Sequence, residues 1–355
     1  MSPRGRPKGE YRSAKHEGSP VTPRGRPKDE YRSAKHEGSP GNEGAAADGW
    51  TALPVPPSQL GESPFWHPDE AALYWCDIPG RALHRFAPGS GEHRAWSFDT
   101  EPGCCAPLPG GALLLAMRDG LFRFEPEGGA RGGLTRLAAP PYDVREQRFN
   151  DGKADALGRL WVGTIHEPRD APRAALYRFA QGRIERIAGD ATVANTLAFS
   201  PDGRSLYWGD TTSHRIDAFD FDLAAGEVSN RRVFARFARK PAGFDAAKDA
   251  AADGARYGGR PDGAAVDAEG CLWVAMFEGQ RLVRLDPQGR ACEALPLPVR
   301  CPTMPCFGGA DLRTLFVTTA RHDRPAAELA AQPLAGAVLA RRVAIPGLPV
   351  NFARA

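Results

Sequence analysis

Six times along this chain an apolar strand is followed, after a short polar gap, by a second strand that ends in a turn. Ala72-Leu73-Tyr74-Trp75 leads to Ala82–Phe86, and Leu113–Leu115 leads to Leu121–Phe124. Leu160–Val162 leads to Ala175–Phe179, and Leu206–Trp208 to Arg215–Asp220. Leu272–Val274 leads to Arg281–Asp286, and Leu315–Val317 to Gly336–Ala340. A strand-rich unit recurring at this size predicts an all-β, six-bladed β-propeller, one unit per blade. A propeller has an axial channel, and every blade sends the same strand into it.

The units are punctuated by turn signals such as Ser200-Pro201-Asp202-Gly203 and Asp267-Ala268-Glu269-Gly270, where Gly and Asp adopt conformations other residues resist. The central strand residues Tyr74, Leu114, Trp161, Tyr207, Trp273 and Phe316 are spaced by 40, 47, 46, 66 and 43 residues. The long interval holds an Ala/Asp/Lys-rich insert, Arg239 to Tyr257. It reads as a loop or short helix over one channel mouth, or as an inert surface excursion.

Residues 1–44 read as a separate, disordered tail and 45–355 as the propeller. Pro3–Pro20 recurs at Pro23–Pro40 with only Gly9 changed, to Asp29. The tail holds ten Lys/Arg and six Asp/Glu, whereas the whole chain is only +3, so the body is about −1 and offers no basic face. Pro-Arg-Gly-Arg-Pro-Lys, present twice, resembles the AT-hook, whose arginines lie in a narrow minor groove. Short motifs of this kind match often by chance, so nucleic acid is not an expected partner. No run is long and apolar enough for a membrane span, and the N-terminus has no apolar signal core. The seven cysteines form no paired framework, so a cytoplasmic protein with reduced thiols is expected.

The position ten to thirteen residues before each central strand residue falls in the channel-lining strand. In blade order these positions are Glu62, Cys104, Asn150, Asn195, Asp262 and Met304. One Asp or Asn there would read as a turn cap. Four oxygen-bearing side chains in register, from different blades, converge on one axis. Burying two carboxylates and two amides together is costly unless something compensates them, and a divalent cation is the simplest compensation. Oxygen-only ligands suit Ca²⁺, Mg²⁺ or Mn²⁺ and admit Zn²⁺ or Fe²⁺. Cys104 and Met304 read as packing, as do Trp66, Trp75, Trp161, Trp208 and Trp273.

Leu60-Gly61-Glu62-Ser63-Pro64, Arg148-Phe149-Asn150-Asp151-Gly152-Lys153, Asn195-Thr196-Leu197, Arg260-Pro261-Asp262-Gly263 and Cys306-Phe307-Gly308-Gly309 run in order along the body. Together they resemble the regucalcin/gluconolactonase family. That resemblance implies one divalent metal in the channel and hydrolysis of sugar lactones. It implies Glu62, Asn195 and Asp262 as metal ligands, and Arg148 and Asn150 as substrate-binding residues. A substrate-contacting Glu is implied after Gly163-Thr164, where Glu167 stands offset by about one residue. The family's Asn-Gly is Asn195-Thr196 here, which leaves the ligand itself intact.

A lactone is an internal ester, so its hydrolysis needs a polarised carbonyl, a positioned water and a stabilised oxyanion. A metal on Glu62, Asn195 and Asp262 supplies the first two, with Asp262 doubling as base. Arg148 screens developing negative charge. Asn150 offers a polyol both a donor and an acceptor. The expected partner is a small sugar lactone of the gluconolactone or pentonolactone type. A lactonase for a non-sugar ester and a non-catalytic metal-binding or interaction propeller remain alternatives. No G-x-S-x-G, His-x-x-x-His or C-x-x-C occurs, which removes serine-hydrolase and zinc-motif readings. Asp210 reads as a channel or supporting residue or as a strand-end turn, and His166 and His214 as residues near the channel mouth.

Overall fold

The computed structural model describes residues 49–129, 132–244 and 257–355. The tail 1–44 and most of the insert, residues 245–256, lie outside the described residues. Twenty-four strands, β1 to β24 in chain order, form six four-stranded antiparallel sheets, which are the six predicted blades. The innermost strands are β2 (Gly61–His67), β6 (Pro102–Pro107), β10 (Gln147–Ala154), β14 (Ala194–Phe199), β18 (Arg260–Val266) and β22 (Pro302–Gly308). Each contacts the next in a closed ring, β22 returning to β2, and the ring encloses the channel.

Five blades are consecutive stretches of chain. The sixth is closed by β1 (Thr51–Ala52), which pairs with β24 (Leu339–Arg342) as the outermost strand. The expected strand at Gly336–Ala340 therefore sits further along, because its position is set by pairing Val317 with Leu339 and Thr314 with Arg342. The described residues contain one α-helix, α1 (Ala326–Ala331), and no helix among them is long and apolar enough to cross a membrane.

Why the repeats read as near-continuous apolar runs is visible in the packing. Each blade is covered on both faces, so successive side chains enter two different cores. Tyr74 packs toward the second blade with Leu115, while Trp75 packs toward the sixth with Phe316. Trp161 faces Trp208 of the fourth blade, while its neighbour Val162 faces Leu114 of the second. Six apolar clusters result, one between each pair of adjacent blades. Two turns are tied to this core identically. Asp155 and Asp267 cap backbone N–H groups with one oxygen and accept the indole N–H of Trp161 and Trp273 with the other, both at 2.9 Å.

After β24 the chain crosses the lower end of the channel. Leu348 donates its N–H to Val266 of the fifth blade, Ala353 to Pro107 of the second and Arg354 to Gly158 of the third. Leu348–Asn351 cover a lower cavity of about 130 Å³.

Candidate active site

Every inner strand breaks register with its neighbour at the same height. The breaks lie between Glu62 and Phe65, Pro102 and Cys104, Phe149 and Gly152, Asn195 and Ala198, Pro261 and Ala264, and Pro302 and Met304. These β-bulges fall at or beside all six residues aligned from the sequence. A bulge interrupts alternation and re-aims side chains, a device common beside active sites. The space behind the bulges is filled tightly. A Cβ on Gly152 would stand 2.5 Å from the Cys104 sulfur, and one on Gly263 would stand 2.5 Å from Met304. Cys104 and Met304 are thus packing residues, as expected.

Above the bulges lies a cavity of about 260 Å³, lined by Glu62, Arg148, Asn150, Asn195 and Asp262 among others. All five are buried. A hydrogen-bond chain fixes Arg148, Asn150 and Asn195 across three blades. Thr211 Oγ1 accepts from Asn195 Nδ2 at 2.8 Å and donates to the Pro261 carbonyl at 2.7 Å. Asn195 Oδ1 accepts from Asn150 Nδ2 at 3.0 Å, and Asn150 Oδ1 accepts from Arg148 Nη1 at 2.8 Å. Asn150 Nδ2 also donates to the Ala194 carbonyl at 2.9 Å, so its donors are committed to the protein and only acceptor capacity is left for a ligand.

Glu167 does not line the cavity. It receives Arg118 at 2.8 and 2.9 Å and lies 3.5 Å from Arg148 Nε. Arg118 also binds Glu101 at 2.7 Å, so a Glu101–Arg118–Glu167 cluster backs Arg148 from outside. Asp210 accepts the N–H groups of Thr192, Val193 and Thr212, holding the loop that carries Thr211. His166 is buried against Asp170 at 2.6 Å, and His214 lies beside Tyr257; neither lines the cavity.

The electrostatics are lopsided. Burial, then repulsion from Asp262 and Asp151, holds the Glu62 carboxyl well above the usual range. Burial, then Asp151, does the same to Asp262. Asp151, which the sequence reading left aside, is a third buried carboxylate. Its Oδ2 accepts from Leu197 N–H at 2.7 Å, while its Oδ1 is buried with no hydrogen-bond partner. Burial lowers the Arg148 guanidinium too, despite nearby Glu167. Glu62 receives only a long 3.4 Å contact from the Ser63 N–H. Uncompensated carboxylate oxygens facing an amide oxygen are a donor set that suits a hard divalent cation. Among the described residues no three His, Cys, Asp or Glu side chains form such a group. The set here has two carboxylates and an amide.

Backbone strain marks the same ring. Thr196, fully buried and β-branched, has φ +57°, where glycine is at ease. Its hydroxyl donates to the Asp262 carbonyl at 2.6 Å, which offsets the strain and ties the fourth blade to the fifth at the site.

A six-bladed ring with an oxygen-lined cavity at one end of its axis, holding two carboxylates and a buried arginine, is a β-propeller with a small-molecule site on its axis. Residues 60–321 match the SMP-30/gluconolactonase/LRE-like region, and the chain belongs to that family. It is 41% identical over 293 residues to the 6-deoxy-6-sulfogluconolactonase of Pseudomonas putida, covering 82% of this chain and 94% of that protein. It is 32% identical over 290 residues to the regucalcin of Gallus gallus, covering 79% and 89%. The crystal structure of a calcium-binding regucalcin from Agrobacterium tumefaciens superposes with a TM-score of 0.76 at 27% identity, covering 86% of this chain and 97% of that one.

Proposed function

We propose that this chain hydrolyses a sugar-acid lactone of the gluconolactone or pentonolactone type to the aldonic acid, with one divalent cation held by Glu62, Asn195 and Asp262. The observation that carries the reading is the convergence of two uncompensated buried carboxylates and an amide oxygen beside Arg148. The lactonases among the relatives support the same reaction class. When bound, the cation supplies Lewis acidity toward the lactone carbonyl.

The side chains do the rest. Asp262 accepts the proton of the water that adds to the carbonyl carbon. As the ring C–O bond breaks, that proton passes to the departing alkoxide oxygen. Arg148 donates to the oxygen on which negative charge develops, and loss of such a donor costs roughly 10²–10³ in rate. Asn150 and the Glu101–Arg118–Glu167 cluster keep Arg148 aimed, and Glu167 acts on the substrate through that arginine. Which cation serves is set by supply as much as by the ligands.

The test is proton release from a panel of aldonolactones by EDTA-stripped protein, with Ca²⁺, Mg²⁺, Mn²⁺, Zn²⁺ and Fe²⁺ restored singly. The expected result is turnover restored by a cation and lost in Asp262→Ala. Folded protein inactive with every cation, or an Asp262→Ala variant that turns over normally, overturns the assignment.

A further inference from the structure

The channel holds a second chamber that the proposed reaction does not use. This lower cavity of about 130 Å³ lies on the far side of the bulges, where Gly152 packs on Cys104 and Gly263 on Met304. Its walls are mostly apolar: Phe65, Trp66, Phe199, Val266 and Phe307 reach it from four blades. Two of its polar residues are already engaged. Ser63 Oγ accepts from the Cys105 N–H at 3.0 Å, and Asn351 Nδ2 donates to the Ala154 carbonyl at 3.1 Å.

Lys153, on β10, is different. It is half-buried and is the one charged residue among those described in the lining. Its ammonium makes no hydrogen bond or ion pair with any described residue. Asp151, two residues back on the same strand, feels its charge without pairing with it. Burial pushes the Cys306 thiol up to about 12, and the Lys153 charge opposes this from the third blade to the sixth. A cation drawn into apolar surroundings without an acceptor is costly. The floor over this chamber is thin. Leu348 and Asn351 are tied to Val266 and Ala154, but Pro349 and Val350 between them make no backbone hydrogen bond among the described residues, and Pro349 is exposed. A ligand can enter from below by displacing two residues and no backbone bond.

We propose that the lower cavity is a second binding site, for a compact apolar monocarboxylate whose carboxylate pairs with Lys153. One ammonium matches one charge, whereas a phosphate or a polyol would leave oxygens unmet against the apolar walls. Size sets the body of the ligand: an apolar cavity of about 150 Å³ takes a benzene ring. This site is independent of the lactonase reading, since no residue of the proposed reaction lines it.

The experiment is calorimetric titration of the full chain in EDTA with benzoate and with its neutral counterpart benzamide. Benzoate should bind with a Kd below about 1 mM, which a ligand of this size can reach. Benzamide should bind about 10- to 100-fold more weakly, the range for a hydrogen bond to a charged group. Lys153→Met keeps the apolar stem and removes the half-buried charge, so folding is preserved, which a melting curve checks. It should weaken benzoate by the same factor and leave benzamide unchanged. Val350→Trp, on the thin part of the floor, should fill the chamber and abolish binding of both probes. Arg148→Met should leave benzoate binding intact, because Arg148 lines the upper cavity only. No saturation by about 10 mM, or equal affinity for the two probes, overturns the proposal. So does benzoate binding that survives Lys153→Met or Val350→Trp, and binding lost in Arg148→Met places the carboxylate in the upper cavity instead.

Discussion

Replacing Glu62 by Gln tests the electrostatics of the channel directly. Burial holds the carboxyls of Glu62, Asp151 and Asp262 above their ordinary range, and at Glu62 repulsion from the other two adds to it. The folded, cation-free protein therefore binds protons more tightly at these groups than the unfolded chain does. The stability they contribute is fully present below the ordinary carboxylate value of about 4 and is lost as pH rises through the folded values. Cation-free wild type should accordingly melt lower at neutral pH than at about pH 5, this group's contribution alone considered. Gln keeps the shape of Glu and removes one uncompensated buried charge, a relief of about 1–3 kcal/mol. For a body of this size that raises Tm by about 2–6 °C in EDTA at neutral pH. Saturating divalent cation should reverse the order, because wild type then gains binding energy that the Gln variant lacks. Scanning calorimetry of both proteins, in EDTA and with each cation in turn, gives the curves required. A Gln variant that melts below wild type in EDTA, or equal cation-induced shifts in both proteins, would refute the argument.

Two further outcomes follow from the surrounding structure. Arg118→Ala unpairs Glu101 and Glu167 and loosens Arg148, so kcat should fall about tenfold with KM little changed, and Arg118→Lys should recover part of it; a loss of Tm with kcat intact would make Arg118 a structural residue only. A chain beginning at Gly44 should keep full kcat/KM and Tm, and a loss in either would bring the duplicated tail into the enzyme.

The blade count and the inner strands were legible because burial on both faces writes apolar runs that turns punctuate at regular intervals. That Glu62, Asn150, Asn195 and Asp262 share one cavity was legible because a propeller repeats its geometry, so equal offsets in sequence become similar heights in the channel. What escaped has local causes. Thr51–Ala52 is too short to show any period, and only its pairing with β24 makes it a strand. Asp151 was hidden by the bulge between Phe149 and Gly152, since simple alternation allows one of two adjacent residues to serve the channel. Glu167 was expected near the substrate from the family resemblance, offset by about one residue; in the fold it pairs with Arg118 and lies 3.5 Å from Arg148 Nε, outside the cavity lining. Thr196 stood out only as a departure from Asn-Gly; that its hydroxyl reaches another blade is a matter of tertiary contact. The segment beyond β24 has no periodicity, because backbone hydrogen bonds to separate blades hold it.

That last segment gives the ring of blades a floor. Anchored at Val266 on one side and at Pro107 and Gly158 on the other, it runs beneath the axis. Traffic to Glu62 and Asp262 must then use the upper opening in both directions. Substrate cannot enter behind departing product, so an open-chain acid still in the cup bars the next lactone. Such an enzyme is inhibited by its own product in strict competition with substrate, and its throughput under load depends on how readily the acid lets go.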